Sequence, residues 1–180
     1  MRPIFTVHAG EYLVANHVEQ LYCKTHGVRV WVPSKDDGID LLVTSNDCKK
    51  TVSLQVKFSK SYTNGKDCNS SGWWAINKAK LENSKAHYWV FVMPELNAEW
   101  KFNDCCFIII SPKILLERLS ATYKGNPKKY DIYFTRKGKC VIQTRGLDKQ
   151  SRRCLLEDPK GVRDFSKYLN NWSEVLKKVL

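Results

Sequence analysis

The chain has 180 residues, of which 43% are hydrophobic, and its formal net charge is +12. This length suits one compact domain, and the apolar content excludes an intrinsically disordered chain. No apolar run reaches the ~18 residues of a membrane-spanning helix, so we expect no membrane partner. The amino-terminal residues lack the pattern of a secretory signal and the seven cysteines contain no CxxC pair, so we expect reduced thiols in the cytoplasm.

The positive charge is concentrated in the C-terminal third of the chain. Residues 1–112 hold 13 Lys and Arg against 11 Asp and Glu, whereas residues 113–180 hold 17 against 7. Such a lopsided charge indicates a polyanionic partner bound through the C-terminal third, although a basic surface that serves only solubility would have the same composition.

Hydrophobic periodicity predicts a helix over residues 11–25 that is ended by Gly27. Three strands follow over residues 28–33, 38–44 and 51–59, and a polar turn joins the last two. The later predicted elements are a polar loop over 61–72, a helix-like stretch over 73–85, buried strands over 86–94 and 105–110, a helix over 111–123 that Ser111 caps and Pro112 begins, a hairpin of 130–135 with 140–144, and a helix over 165–179.

This order of elements predicts an α/β (α+β) fold with helices on a central sheet, in one domain over residues 1–180. Apolar residues in the last helix, from Phe165 to Val179, recur every three or four positions. We expect that apolar face to pack on the sheet, and self-association through it is the alternative.

Two polar side chains interrupt the third predicted strand. Alternation along a strand puts Gln55 and Lys57 about 7 Å apart, on the face opposite Leu54 and Val56. In the preceding strand, Asp40 lies on the face opposite its apolar neighbours. Pairing of the two strands through their turn brings Asp40 opposite this region, so we expect Asp40, Gln55 and Lys57 to form one polar patch.

The first predicted helix offers a fourth polar group. Glu11 shares a helical face with Val14, Val18 and Leu21, so its carboxylate lies at the N-terminal end of an otherwise apolar, inward face. An acid in the first turn of a helix also complements the helix dipole, and the sequence leaves both interpretations of Glu11 open.

A carboxylate, an amide oxygen and a lysine in one place suit the metal-assisted hydrolysis of a phosphodiester. Mg²⁺ prefers oxygen ligands and keeps several waters; it can hold the phosphate, lower the pKa of an attacking water and offset charge on the leaving oxygen. A lysine beside the metal can orient that water or neutralise developing charge.

The triplet Gly38-Ile39-Asp40, the triplet Gln55-Val56-Lys57 and the preceding pair Gly10-Glu11 together resemble the PD-(D/E)XK nuclease superfamily. The resemblance covers roughly residues 10–93. It implies a restriction-endonuclease-like core, with a central mixed β-sheet flanked by helices and followed by a basic hairpin and terminal helix. It also divides the single domain into a catalytic core over 10–110 and a basic DNA-binding extension over 111–180.

The same resemblance implies a role for each residue of the patch. Asp40 would anchor Mg²⁺, with Mn²⁺ as a possible substitute, and Gln55 and the Val56 carbonyl would also be metal ligands. Lys57 would position or activate the attacking water, and Glu11 would be an auxiliary acid and ligand. Gln55 stands where the superfamily more often has a second acid, which removes a negative charge and weakens the expected metal affinity.

Basic residues in loop-like contexts are expected to contact the phosphates of double-stranded DNA. Trp73 and Trp74 are interpreted as rings that cap the core, and a base-stacking platform is the alternative. The predicted DNA-binding residues are Lys60, Lys128, Lys129, Arg136, Lys137, Lys139, Arg145, Arg152 and Arg153.

These expectations favour a metal-dependent DNA endonuclease of the restriction or homing type. It would act as a homodimer, since one such site cuts one strand. No phosphate-binding loop is present, so no nucleotide cofactor is expected. The alternatives are a structure-selective nuclease like a Holliday-junction resolvase, and a DNA-binding module of the same fold that has lost catalysis.

Overall fold

The structure, a computed structural model, describes residues 3–35, 37–59, 69–96 and 102–180. The strands are β1 (Arg29–Trp31), β2 (Leu41–Thr44), β3 (Thr51–Phe58), β4 (Ser70–Asn77), β5 (Tyr88–Leu96), β6 (Phe102–Ile110), β7 (Lys129–Lys137) and β8 (Cys140–Gln143). The helices are α1 (Pro3–Val18), α2 (Lys24–His26), α3 (Lys78–Glu82), α4 (Pro112–Thr122), α5 (Lys149–Glu157) and α6 (Ser173–Val179).

The strands form two sheets. The larger has the order β1-β2-β3-β5-β6 and is antiparallel except between β3 and β5, which run parallel. The smaller, β4-β7-β8, is antiparallel throughout. The predicted central mixed sheet flanked by helices is confirmed. The smaller sheet exceeds the predicted hairpin because β4 joins it.

The larger sheet separates two apolar cores, because the side chains of its strand β5 alternate between its two faces. On one face, Leu54 packs with Val14 of α1 and Val175 of α6. On the other face, Phe91 of β5 packs with Phe134 of the smaller sheet. The larger sheet therefore lies between helices on one side and the smaller sheet on the other.

Helix α1 begins eight residues earlier than predicted and continues beyond Val18 as a π-helical turn over Glu19–Cys23. The extra residue in that turn rotates the helical face. Leu21, which we predicted on the inward face, is therefore 49% exposed, and Tyr22 packs against the core instead. Gly27, with φ of 66°, ends the helical segment as predicted.

The predicted helix over residues 73–85 is wrong in its first half. Residues up to Asn77 belong to β4, in which buried Trp74 and Ile76 alternate with exposed neighbours. The helix α3 starts only at Lys78, where the Asn77 side chain accepts the N–H of Lys80. Burial therefore alternates with a period of two in this stretch. The two adjacent tryptophans, Trp73 and Trp74, made that period hard to recognise in the sequence.

The amphipathic C-terminal segment is not one helix. It contains a short 3₁₀ turn at Ser166–Tyr168, and α6 begins only at Ser173. Asn170 interrupts it at φ of 50° and exchanges hydrogen bonds with the backbone of Phe107 on β6. The packing of α6 on the sheet agrees with the prediction, since Val175 lies in the core beside β3.

A further helix, α5, lies in a segment that we predicted to be loop-like. Asp148 caps it by accepting the N–H of Ser151 at 2.8 Å. None of the helices within the described ranges is both long enough and apolar enough to cross a membrane. The six cysteines in these ranges are free, and burial raises the pKa of Cys105 and Cys106 to about 12.

Helix α1 approaches β3 most closely at Gly10. A Cβ at this position would lie 2.7 Å from the Cβ of Phe58 and 3.3 Å from a methyl group of Val56. Glycine therefore sets the distance between helix and sheet, and it brings the following residue, Glu11, to the C-terminal half of β3.

Replacing Gly10 with alanine tests this contact. We expect Gly10→Ala to lower the free energy of unfolding by about 1–2 kcal/mol, because a Cβ 2.7 Å from that of Phe58 puts the overpacking cost in the upper part of the ~1–3 kcal/mol range and the gain in helix propensity returns only ~1. Urea denaturation measures the change. The control is Tyr12→Ala on the same helix, where the side chain is 68% exposed and little change is expected. A Gly10→Ala variant as stable as the wild type would contradict the close approach.

Candidate active site

Asp40 lies where the pairing of β2 with β3 ends. Its N–H donates to the Leu54 carbonyl at 2.9 Å, and Leu41, the first residue of β2, is opposite Leu54. At the next position along this edge, Asp40 Oδ2 accepts the Val56 N–H at 2.6 Å. The aspartate side chain therefore satisfies a β3 backbone donor that β2 does not reach.

Gln55 contacts Asp40 directly. Its Nε2 donates a short hydrogen bond to Asp40 Oδ2. Its Oε1 lies beside Gly38, where an added Cβ would be 3.6 Å away. Gly38 has φ of +79°, a conformation that favours glycine, so a tight backbone turn adjoins the amide. Gln55 is only 9% exposed, so this hydrogen bond is largely shielded from water.

Lys57 projects from the same face of β3 as Gln55. Its Nζ lies over the indole ring of Trp89, 5.3 Å from the ring centroid, in a cation–π arrangement. Trp89 is 3% exposed, and its Nε1 donates to Ser84 Oγ at 2.8 Å. The Lys57 carbonyl accepts the indole N–H of Trp74 at 3.1 Å. Fixed aromatic side chains therefore hold both ends of this lysine.

Gln55 and Lys57 face a cleft of about 910 Å³ that continues to β4 and α3. Lys80 of α3 and Lys85 add positive charge to it, and Lys85 Nζ lies 2.5 Å from Asp37 Oδ2. Both partners of that ion pair are largely exposed, so it contributes little stability. The other lining residues are Gly38, Ala75, Ile76, Asn77, Ala79, Asn83, Ser84 and Trp89.

Glu11 lies in the middle of α1 rather than in its first turn, so the helix-dipole interpretation is wrong. Its side chain is 18% exposed, and its Oε2 lies 3.4 Å from His8 Nδ1. No hydrogen bond described for Glu11 joins it to Asp40 or Gln55. The structure thus brings Asp40, Gln55 and Lys57 to one face of β3 and places Glu11 on the helix that packs against the other.

The oxygens at this edge of β3 fit a Mg²⁺ site with a single aspartate. In a strand, the N–H and C=O of one residue point to the same edge, so the Val56 carbonyl faces the edge that Asp40 occupies. The hydrogen bonds described for the Asp40 carboxylate use Oδ2, which leaves Oδ1 as a possible ligand. Gln55 would add Oε1 only after its amide rotates.

Over the ranges that the structure covers, no group of three or more His, Cys, Asp or Glu side chains could hold a metal ion. A cation at the edge of β3 would therefore keep several of its waters, which is usual for Mg²⁺.

Four of the predicted DNA-binding lysines lie at the two ends of β7. Lys137 and Lys139 are exposed at the hairpin turn to β8, and Lys128 and Lys129 are exposed at the start of the strand. An extended strand of this length separates the two pairs by about 27 Å.

The predicted arginines differ in their surroundings. Arg136 forms a close ion pair with Glu95, both side chains are only about one-fifth exposed, and burial lowers the pKa of Arg136. Its charge is neutralised internally, which disfavours a contact with a phosphate. Arg145, Arg152 and Arg153 are exposed, the last two on α5 rather than on a loop. Lys60 lies outside the described residues.

The two adjacent tryptophans have different environments. Trp74 is 5% exposed and belongs to the core, as predicted. Trp73 points to the other face of β4 and is 43% exposed, so the core-capping interpretation is wrong for this residue.

Sequence reasoning missed the residues that complete the cleft. Trp89 faces Lys57 because β3 and β5 are parallel neighbours with Gln55 opposite Trp89, and the sequence does not specify the register of two strands so far apart. Lys80 and Lys85 were not predicted to line the cleft, because we assigned residues 73–85 to one helix. The period-two alternation in β4 was the available signal.

No family model matches the chain, and no curated protein does either. Among solved structures, the chain is similar to a bacterial homing endonuclease, I-Ssp6803I, with a TM-score of 0.48 and 12% sequence identity. That similarity covers 99% of this chain and 95% of the other.

The contact between Gln55 and Asp40 predicts how a second acid would behave here. We expect Gln55→Glu to lower the melting temperature at pH 7, because two adjacent carboxylates repel and the repulsion raises the pKa of the pair. The loss is present above that raised pKa and disappears as the pH falls below the ordinary Glu value of about 4.3. Mg²⁺ should raise the melting temperature of the variant more than that of the wild type.

Thermal melts across pH, with and without Mg²⁺, measure both effects. The control is Gln20→Glu on the exposed side of the π-helical turn, for which we expect the wild-type profile. If Gln55→Glu also melted with the wild-type pH profile, the side chains would not be in contact in solution.

Proposed function

We propose that this protein is a Mg²⁺-dependent endonuclease that hydrolyses phosphodiester bonds of double-stranded DNA and has a restriction-endonuclease-like core. The observation that carries the proposal is the hydrogen bond between Gln55 and Asp40 at the edge of β3, with Gln55 and Lys57 together on the wall of a cleft lined by lysines. Mn²⁺ is a possible substitute for Mg²⁺.

The protein groups have separate tasks in this proposal. Asp40 and the Val56 carbonyl would hold the cation, and Gln55 would add its side-chain oxygen after rotation of its amide. When bound, Mg²⁺ supplies charge stabilisation and lowers the pKa of the attacking water. Lys57, kept on the cleft side by Trp89, orients that water and balances negative charge on the phosphate.

Two further lysines have a place in the same cleft. Lys80 and Lys85 line it together with Lys57, and both are exposed. An ammonium group on a flexible stem suits contact with phosphate oxygens on either side of the scissile bond. Lys85 would exchange its exposed partner Asp37 for a phosphate, at little cost. Glu11 is proposed as an auxiliary acid.

The proposal includes two copies of the chain, because one such site cuts one strand and a duplex break needs two. Restriction or homing-type biology is the setting we propose. A catalytically inactive DNA-binding module is the second candidate. It is favoured by the hydrogen bond that the Gln55 amide nitrogen donates to Asp40 Oδ2. This amide stands at the position where a second metal-binding acid would be expected.

Cleavage of supercoiled plasmid separates these candidates. We expect nicked or linear product in Mg²⁺ or Mn²⁺ and none in EDTA. Lys57→Ala and Asp40→Asn should each lower the rate about 100-fold or more, because they remove a group that acts on the water or the cation. Lys24→Ala is the matched control, since Lys24 is exposed on α2, about 21 Å along the helix from Gly10.

The outcomes are distinct. Plasmid binding without cleavage in either metal would favour the inactive module. Cleavage that persists in Lys57→Ala would refute the site. Cleavage of a synthetic four-way junction in preference to linear duplex would identify a structure-selective nuclease instead of a restriction or homing type.

The basic hairpin makes a prediction about salt. If Lys137 and Lys139 each neutralise one phosphate, the double variant Lys137→Ala/Lys139→Ala should reduce the slope of log K against log salt by roughly 0.9 for each phosphate that is no longer neutralised. Titrations of a blunt duplex over a range of NaCl concentrations measure this slope. The control is Lys24→Ala/Lys49→Ala, whose lysines are equally exposed but lie outside the hairpin. An unchanged slope in the hairpin variant would place the duplex elsewhere.

A further inference from the structure

The smaller sheet carries an exposed tryptophan and a half-buried tyrosine next to each other. Trp73 of β4 is directly opposite Tyr133 of β7, their ring centroids are 6.1 Å apart, and Trp73 is 43% exposed. The neighbouring Trp74 and Ile76 turn inward and are almost fully buried. Trp73 lies outside the core because the side chains of β4 alternate between its two faces.

One cation contacts this aromatic pair, and two more lie farther along the same face. The guanidinium carbon of Arg145 lies 5.4 Å from the centroid of Tyr133. Lys129 and Lys137 share the outward face of β7, four residues on either side of Tyr133, and both are exposed. Asp131 is the acid on this face, and it lies 3.9 Å from the Arg145 guanidinium, which offsets its charge.

Strand β4 is connected to the candidate active site. The Trp73 N–H donates to Ser59 Oγ at 3.0 Å, and the Trp74 indole N–H donates to the Lys57 carbonyl at 3.1 Å. Ala75 continues along β4 from Trp73 and lines the cleft. A nucleic-acid strand that leaves the cleft can therefore pass over Trp73 without crossing another element of the described chain.

We propose that the outer face of the smaller sheet binds unpaired nucleotides, with Trp73 and Tyr133 stacking on bases and Arg145 contacting the backbone. Bases in a duplex are stacked on one another and cannot offer a face to a side chain, whereas unpaired bases can. The surface thus distinguishes single-stranded from double-stranded nucleic acid beside the cleavage site, for example at an overhang, a flap or a junction arm. This inference rests on nucleic acid being the partner, and it is independent of cleavage.

Binding measured in EDTA tests the inference without cleavage. The probes are a labelled oligothymidylate of about 16 nucleotides, a blunt duplex, and the same duplex with a single-stranded overhang. Loss of one stacking ring should weaken binding of the single-stranded and overhang probes to Trp73→Ala about tenfold or more, and leave the blunt duplex within about twofold. Trp73→Phe, which keeps a ring, should retain most of the affinity.

The control variant is Trp31→Ala, since Trp31 on β1 is 46% exposed and has no cationic cluster described around it. It should bind all three probes like the wild type. Arg145→Ala, in an exposed turn, is a second variant that does not disturb β4. It should weaken single-strand binding even if Trp73→Ala folds poorly in thermal melts.

Each outcome decides the inference. Wild-type affinity of Trp73→Ala and Arg145→Ala for oligothymidylate overturns it, and so does an equal loss on the blunt duplex, which would indicate a general phosphate surface. Failure of the wild type to bind any probe overturns both the inference and the proposed function. Single-strand binding that depends on Trp73, in a protein that cuts no plasmid, supports the inference and refutes the enzyme.

Discussion

The candidate active site depends on a backbone amide that has no strand partner. Pairing of β2 with β3 stops at Leu41, and the Val56 N–H would otherwise face water or be buried unsatisfied. The Asp40 carboxylate accepts that hydrogen bond, and in doing so it is fixed at the edge of β3. The hydrogen bond that satisfies the Val56 N–H therefore also positions the Asp40 carboxylate beside Gln55, which lines the cleft.

The two faces of β3 then have opposite roles. Its apolar side chains hold α1 and α6, and the close contact at Gly10 brings the helix against the strand. Its polar side chains Gln55 and Lys57 line a cleft whose opposite wall includes residues of β4, an edge strand of the smaller sheet. Trp74 fixes this arrangement, since its ring is in the second core and its N–H binds the Lys57 carbonyl. Aromatic packing therefore contributes to the rigidity around Lys57.

Patterns among neighbouring residues in the sequence predicted the parts of the structure that depend on short-range interactions. Alternation in β2 and β3 and the short turn between them were sufficient to place Asp40 opposite Gln55. The partner strand of β3 could not be predicted, because parallel pairing joins segments about thirty residues apart whose register depends on the whole core. The π-helical turn and the break at Asn170 were missed for a related reason. In both segments the apolar residues keep a spacing of three to four positions in the sequence. The π-helical turn and the break at Asn170 nevertheless change the directions in which the side chains point.

The connection from β3 to β5 passes through a strand of the other sheet. Within the described chain, β4 finds its strand partner in β7, which begins more than fifty residues later along the sequence. Asp40, Gln55 and Lys57 are all synthesised before this partner, whereas the wall of the cleft that β4 carries cannot be completed until β7 has been made. The order of synthesis thus separates the two parts of the candidate site, because Asp40, Gln55 and Lys57 leave the ribosome early and the β4 wall beside them is completed late.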